Sequence, residues 1–435
     1  MSHRRTLALT RLPLLLLITV VCGVSSQAPL AQPADPLEGR VVREIQVTGL
    51  RRLSPDEVER HLATRAGQPF RREALRSDQR RLDELRLFSS VLLEPRLEGD
   101  EVVLHVAVTE TLRLLPVVVI RVTDDNGLSA GPGLRGINLL GHESNVGVSA
   151  LFGGETGVAA TVDTTTITPG TWSRRFGFSA TSRRNTLHDF DERATSADVR
   201  LARNWNHGVR AGATAEILAI GTGSSGESLS ADGTDVIPTV GAFLTVDTLD
   251  SSTNPRSGTW AEVEVDRLLG DARSWRIVLD GRRFERLSSR HGLALTTLVT
   301  LQSGDVDVQL PDYLQFDLGG ANSIRGWSHG ARRGPHQFVG TLEYTYVVQP
   351  VRPFSIAGLN LYGGLQVAGF ADLGVAWGGD SDNESAIDGY GVGLRLLVPF
   401  VDLLRFDVAW GEPGLGATAY FGVSLKAARQ RQRVR

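Results

Sequence analysis

Between residues 112 and 427 the sequence alternates apolar with polar positions, in stretches of about ten residues parted by Gly, Asn, Asp and Ser. Leu293, Leu295, Thr297, Val299 and Leu301 stand against Ala294, Thr296, Thr300 and Gln302, and Ala261, Val263 and Val265 against Glu262, Glu264 and Asp266. The same beat sets Leu404, Phe406, Val408 and Trp410 against Arg405, Asp407 and Ala409. It also sets Ala419, Phe421, Val423 and Leu425 against Thr418, Tyr420, Gly422 and Ser424. A period of two puts successive side chains on opposite faces of a strand, so each stretch predicts a strand with one apolar face. The spacing predicts about sixteen such strands and no helix among them. In a soluble sandwich the apolar faces would form a core. In a transmembrane barrel they face lipid, and the charged faces line a wet interior. Strand length favours the barrel, since about 9–11 residues cross a bilayer at a tilt. The acidic and basic side chains recurring on the polar face favour it too.

Residues 40–111 follow other periods. Val41 to Leu50 alternates through Ile45 and Val47 and ends at Gly49, a strand and a turn. Ser54-Pro55-Asp56-Glu57 spells a capping box with proline at the first helical position, and Leu53 and Val58 are spaced as a hydrophobic staple across it. Val58 and Leu62 share one face of this short helix, which stops before Gly67-Gln68-Pro69. A second helix is predicted from about Arg71 to Phe88. Its stripe is Leu75, Leu82, Leu85 and Phe88, and its solvated face is Arg72, Arg76, Arg80 and Glu84. Two strands close the unit, about Ser90 to Leu97 and Val102 to Val108. In the latter Val102, Leu104, Val106 and Val108 point in, and Val103, His105, Ala107 and Thr109 point out. That position makes His105 structural rather than a ligand.

Ahead of this unit, Arg4 and Arg5 precede an apolar run from Leu12 to Val21, broken by Pro13 and Thr19 and followed by Val24-Ser25-Ser26. This is the layout of a secretory signal cleaved near Gln27, and the run falls short of the ~20 residues that a membrane helix needs. Cys22 raises a lipoprotein as the alternative, which Val21 before it fits poorly. Pro29, Pro33 and Pro36 make residues 27–39 an extended linker. The 435 residues hold 1 cysteine, so neither disulfides nor a cysteine metal cluster holds the fold. A formal net charge of -3 gives no electrostatic ground for a nucleic-acid partner.

One glycine-rich stretch, Gly319-Gly320-Ala321-Asn322-Ser323-Ile324-Arg325-Gly326-Trp327, pins a single arginine between an aliphatic residue and a Gly-aromatic pair. Together with the export signal, the βααββ unit and the strand array, it resembles the sixth-loop motif of the BamA/TamA-type outer-membrane assembly superfamily. Ile324 stands where valine is usual, and Trp327 in place of Phe or Tyr. Other motifs follow that family's order. Asp247-Thr248-Leu249-Asp250 leads to Asn254-Pro255-Arg256-Ser257-Gly258, a strand end and Pro…Gly turn in which Leu249 replaces an arginine. Glu343 lies on the strand after the loop, and Phe370-Ala371-Asp372 resembles an aromatic-x-Asp motif. Gly391-Val392-Gly393-Leu394-Arg395 and Leu404-Arg405-Phe406-Asp407 come next. Residues 40–111 resemble a POTRA domain.

The resemblance implies a mainly β protein: signal peptide 1–26, linker 27–39, POTRA-like domain 40–111, antiparallel outer-membrane β-barrel 112–427 and basic tail 428–435. It implies that the sixth loop folds back into the lumen, where Arg325 meets Phe370 and Asp372. A partly desolvated arginine needs a carboxylate that its planar fork can bind bidentately, and Trp327 or Phe370 can add a cation–π contact. It further implies a factor that takes unfolded outer-membrane or secreted clients at the POTRA-like domain in the periplasm. The client would be added as a strand and inserted at the seam between first and last strands. Outer-membrane lipid and periplasmic or lipoprotein accessory subunits are the other implied partners. A dedicated secretion pore, a scaffold for a periplasmic complex and an outer-membrane enzyme are the alternatives.

The chain departs from the family in three respects. It has one POTRA-like unit, it has no amphipathic plug helix ahead of that unit, which argues against the dedicated transporters, and it continues past the last strand as Lys426 to Arg435. No Ser-His-Asp order, zinc spacing or phosphate loop stands out, so no catalytic residue, cofactor or metal is expected. His188-Asp189-Phe190-Asp191-Glu192 is the one dense cluster, readable as a divalent-ion site or, more simply, as a solvated acidic loop. His142, in Asn138-Leu139-Leu140-Gly141-His142, falls in a turn between early strands.

Overall fold

A computed structural model describes residues 36–423 except 52, 85–87, 111–113, 138, 140–143, 165–169, 224–225, 252–253, 357–358, 380–383 and 399–401. The signal segment, most of the linker, His142, Leu425 and the basic tail lie outside the described residues.

The first unit is β1 (Val42–Thr48), α1 (Pro55–Arg60), α2 (Arg72–Glu84), β2 (Phe88–Glu98) and β3 (Glu101–Glu110). Its sheet runs β1-β3-β2, with β1 parallel and β2 antiparallel to the central strand. The capping box forms: the Ser54 side chain accepts from the Glu57 N–H, and Glu57 Oε2 accepts from the Ser54 N–H at 2.8 Å. Val58, Leu62, Phe70, Leu75, Leu82, Val102, Leu104 and Val106 make one core, with Leu53 against it. Asp78 of α2 is also buried, where Oδ2 accepts from the Thr64 N–H at 3.0 Å and from Thr64 Oγ1 at 2.6 Å, tying α2 to the segment that follows α1.

Two expectations are corrected here. Phe88 opens β2 and is not the last residue of the second helix. Val103 is fully buried although it is off the core face. It lies on the central strand opposite Glu44 and Arg96, and long side chains on both flanks can cover what alternation alone would expose.

The rest is one antiparallel meander. Its strands are β4 (Leu114–Thr123), β5 (Gly127–Ile137), β6 (Ser144–Gly153), β7 (Glu155–Thr164), β8 (Trp172–Asn185), β9 (Phe190–Asn204), β10 (Val209–Gly221) and β11 (Thr234–Asp247). They continue as β12 (Gly258–Leu268), β13 (Trp275–Arg286) and β14 (His291–Gln302). After a long loop holding the short strands β15 (Phe316–Leu318) and β16 (Arg332–Gly334), β17 (His336–Ile356), β18 (Leu359–Trp377), β19 (Ile387–Val398), β20 (Asp402–Trp410) and β21 (Thr418–Val423) complete it. The sheet has 16 strands, from β4 to β21. Those two edge strands come side by side, so the sheet curls into a nearly closed barrel, yet no backbone ladder joins them among the described residues.

The barrel is built inside out. Val118 is 65% and Val392 56% exposed, and Phe178, Val240, Val263, Leu342, Leu373 and Phe406 continue the apolar belt. The buried positions between them are Glu262, Glu264, Asp266, Arg276, Thr341, Glu343, Asp372, Arg395 and Asp407. An outward apolar band around a charged lumen is the pattern a bilayer selects, and it excludes a soluble sandwich. The barrel has two rims: the entry end, where β4 begins, and the opposite loop end, which carries the β4–β5 turn and the long loop.

Candidate functional site: the loop held in the lumen

Between β14 and β17 the chain folds back into the barrel. The two limbs of this loop pair as β15 and β16, from Phe316↔Gly334 to Leu318↔Arg332, and enclose a tip of residues 319–331. Inside the tip, the Gly319 N–H donates to Ser323 Oγ at 2.6 Å, and the Gly320 N–H donates to the Trp327 carbonyl at 2.8 Å. Ile324 is fully buried with Leu318, Val339, Ala376 and Ile387, which plugs the tip against the wall. At Gly326, φ is 89° and a side chain would run into the Trp410 backbone, so only glycine fits there.

Anchored on both sides, Arg325 has no exposed surface. Its Nε and Nη2 donate to Asp372 Oδ2 and Oδ1 at 2.8 and 3.0 Å, and its own N–H donates to Oδ2 at 3.1 Å. Nη1 donates to Asp407 Oδ2 at 2.8 Å. The guanidinium carbon stands 3.2 Å from the Phe370 ring centroid. Arg395 donates to Asp407 Oδ1 at 2.5 Å and to Glu343 Oε2 at 2.7 Å. Arg405 lies 3.3 Å from Asp407 and donates to the Ala321 carbonyl at 3.1 Å. Thr341 Oγ1 donates to Asp372 Oδ1 at 2.7 Å. Arg325, Arg395 and Arg405 therefore balance Glu343, Asp372 and Asp407. Burying this many charges is tolerable because opposite charges are matched and most donors find acceptors, although Nε and Nη1 of Arg405 have no hydrogen-bond partner among the described residues.

The wall is shaped to receive the tip. Side chains at Gly389 and Gly391 of β19 would overlap the Arg325 carbonyl oxygen and the Phe370 ring, respectively, and Gly393 lies one step further along, against Asp407. Beyond the arginine cluster, the tip touches both edges of the sheet. The Ala321 N–H donates to Asp124 in the β4–β5 turn at 3.0 Å, and His329 Nδ1 is 2.7 Å from Asp125. On the other side, Tyr420 of β21 accepts from the Gly326 N–H at 3.0 Å. Glu412 accepts from the Ser328 N–H and Oγ at 2.8 and 2.6 Å, and Trp327 Nε1 donates to the Asp388 carbonyl at 2.6 Å.

Of the motif residues, the structure brings Ser323, Ile324, Arg325, Gly326, Trp327, Glu343, Phe370, Asp372, Gly391, Gly393 and Arg395 to one place. Asp247, Asp250, Pro255 and Gly258 are elsewhere, at the β11–β12 turn of the entry end. There Asp250 accepts from the Arg256 and Ser257 N–H groups at 2.8 and 3.1 Å and pairs with Arg286 at 2.9 Å. His188 to Glu192 is not one ligand set: Asp189 and Asp191 pair with Arg184, Glu192 pairs with Arg183, and Phe190 is buried in apolar contacts. Asp407 and Arg405 join the site from a run that sequence had placed only in order. Gly389, Asp124, Thr341 and Glu412 carried no signal, and Tyr420 carried only its place on the polar face of the last strand.

A family model described as the Omp85 superfamily domain matches residues 138–424, and a POTRA model, described as a surface antigen variable number repeat, matches residues 41–111. No curated protein sequence matches the chain. Among solved structures, BamA from Haemophilus ducreyi lacking POTRA domains 1–3 superposes with a TM-score of 0.57 at 14% identity, covering 88% of this chain and 83% of that one. CdiB from Acinetobacter baumannii gives 0.52 at 14%, covering 89% and 74%, and CdiB from Escherichia coli gives 0.52 at 14%, covering 92% of each. At such identities the likeness is one of fold. The family match spans most of the chain, an outer-membrane barrel behind a POTRA unit: the protein belongs to the Omp85 superfamily.

Proposed function

We propose that this protein takes unfolded polypeptides at its POTRA unit in the periplasm and assembles them into the outer membrane at the seam between β4 and β21. The observation that carries the reading is the seam itself. The edge strands meet without a backbone ladder among the described residues, and the loop tip holds on to both sides through Asp124 and Tyr420. An unpaired strand edge is a template for another strand. The edge strands β1 and β2 of the small sheet offer the same chemistry to an extended client. The driving force is the client's own strand pairing and burial of apolar surface, so the reading assigns no catalytic residue and no nucleotide.

A dedicated secretion pore is the second reading. It is favoured by a lumenal cavity of about 700 Å³ lined by Arg135, Asp163, Arg175, Arg200, Arg210 and Glu262, which the loop does not fill. Depletion followed by quantitative proteomics of outer membrane and medium separates the two. A joint fall of many barrel proteins is the result expected for an assembly factor, and loss of a single exported protein is that expected for a pore. If neither fraction changes, the scaffold reading replaces both.

A further inference from the structure

Outside the lumen, three loop-end segments converge on one histidine. His188, in the β8–β9 turn, has a side chain only 5% exposed. Its Nδ1 lies 3.0 Å from Glu227 Oε2 of the β10–β11 loop and 3.3 Å from Asp312 Oδ2 in the first limb of the sixth loop. The three ligand atoms lie within 4.8 Å of one another. We propose that His188, Glu227 and Asp312 form a binding site for a transition-metal dication of the zinc type, which ties the sixth loop to two of its neighbours.

Three features select this class. An imidazole nitrogen with two carboxylate oxygens suits zinc or its borderline neighbours, whereas calcium asks for a shell of about six to eight oxygens. Ligands at about 2.0–2.2 Å from a tetrahedral zinc stand roughly 3.3–3.5 Å apart. The His188–Asp312 separation of 3.3 Å already has that length, and Glu227 at 3.0 Å needs only a small outward shift. Local charge agrees as well. Glu227, Asp312 and Asp317 set three carboxylates against the single guanidinium of Arg333, which lies 2.9 and 3.3 Å from Asp312 and Asp317, an acidic setting that favours a dication. Arg333 also lies against His188 Nε2 and holds Asp312 Oδ2, so a metal at Nδ1 would share or take that oxygen from the guanidinium, which has Asp317 as its other carboxylate. Water would fill the fourth position.

Neighbouring contacts hold the three ligands in place. His188 N–H donates to Asn185 Oδ1 at 3.2 Å, fixing the turn. Ser228, next to Glu227, donates to Asp235 at 2.8 Å, and Phe190 and Tyr313 beneath the site pack at 6.1 Å between ring centroids.

The test uses the full-length protein in detergent micelles, stripped with chelator and titrated with zinc by calorimetry and with cobalt by visible absorption. The expected result is one equivalent of saturable binding with micromolar affinity or tighter, together with a tetrahedral cobalt spectrum. Binding should weaken at least about fiftyfold in both His188→Ala and Glu227→Gln, with outer-membrane barrel folding checked by unheated gel mobility. Absence of saturable binding below millimolar metal overturns the proposal. So does binding that survives the His188→Ala, Glu227→Gln double variant. Because the readout is metal affinity, its failure leaves the assembly reading untouched.

Discussion

Replacing Asp372 with asparagine changes a single oxygen and tests the whole account of the buried loop. Asp372 accepts the Nε, Nη2 and backbone N–H of Arg325 and the Thr341 hydroxyl, and none of its side chain is exposed. Asparagine keeps one acceptor but turns an NH2 group towards Nη2, and leaves three arginines facing two carboxylates. Removing one partner of a buried ion pair costs about 3–5 kcal/mol. The loss falls on the contact between tip and wall, not on the strand ladders, so it lowers the free energy of loop release while the barrel stays folded. At about 1.4 kcal/mol per tenfold change, amide hydrogen exchange at 319–331 should quicken by a factor of roughly a hundred to a few thousand. Exchange in β10 to β13 should not move. Peptide-level exchange mass spectrometry in detergent reads both regions in one experiment. The reasoning is refuted if the tip exchanges within threefold of the native protein, or if the whole barrel loosens with it.

Further outcomes follow from other contacts. Gly389→Ala drives a Cβ into the Arg325 carbonyl oxygen and should destabilise the docked tip by about 1–3 kcal/mol, seen as faster exchange at 319–331 with the POTRA unit unchanged. Asp78→Ala leaves the buried N–H of Thr64 without an acceptor and should cost about 1–3 kcal/mol, read as faster exchange across α1 and α2 alone. The two hydrogen bonds from Ser328 hold the Glu412 carboxyl below its ordinary value of 4.5. A carboxylate lowered in the folded state contributes stability above its unfolded pKa and loses it as pH falls through the folded one. Glu412→Gln should therefore speed exchange around Ser328 at neutral pH, and the difference from the native protein should fade once the medium is acid enough to protonate Glu412. A difference that persists there counts against the assignment.

What the sequence disclosed follows from how local each signal is. Alternation such as Val263 and Val265 against Glu262, Glu264 and Asp266 needs only the strand period, and the same period serves a membrane barrel and a soluble sheet; length and charge decide between them. The capping box at Ser54 is likewise a four-residue matter. Val103 was misplaced because two-sided burial depends on what flanks a central strand, which alternation does not encode. The lumenal site was partly legible, because Arg325, Phe370 and Asp372 sit in recognisable strings. Asp124 and Tyr420 lie 197 and 94 residues from the loop atoms they bind, in strings with no mark of their own. Gly389 is one more inward glycine among many until the Arg325 carbonyl is seen against it. The same holds for His188, whose neighbours in space, Glu227 and Asp312, are far from it in sequence.

The distances along the chain between Arg325 and its partners also set an order of events. Asp372 is 47 residues further on and Asp407 is 82 residues further on, and both belong to the last strands to leave a ribosome or a translocation channel. Until β18 and β20 are in place, the arginine has no balanced site in the lumen and remains more stable in water. Docking of the tip is therefore a late step that follows nearly complete wall formation and cannot nucleate it. A chain cut short before Asp407 would carry an undocked loop, a visible mark of an unfinished barrel that a protease could read.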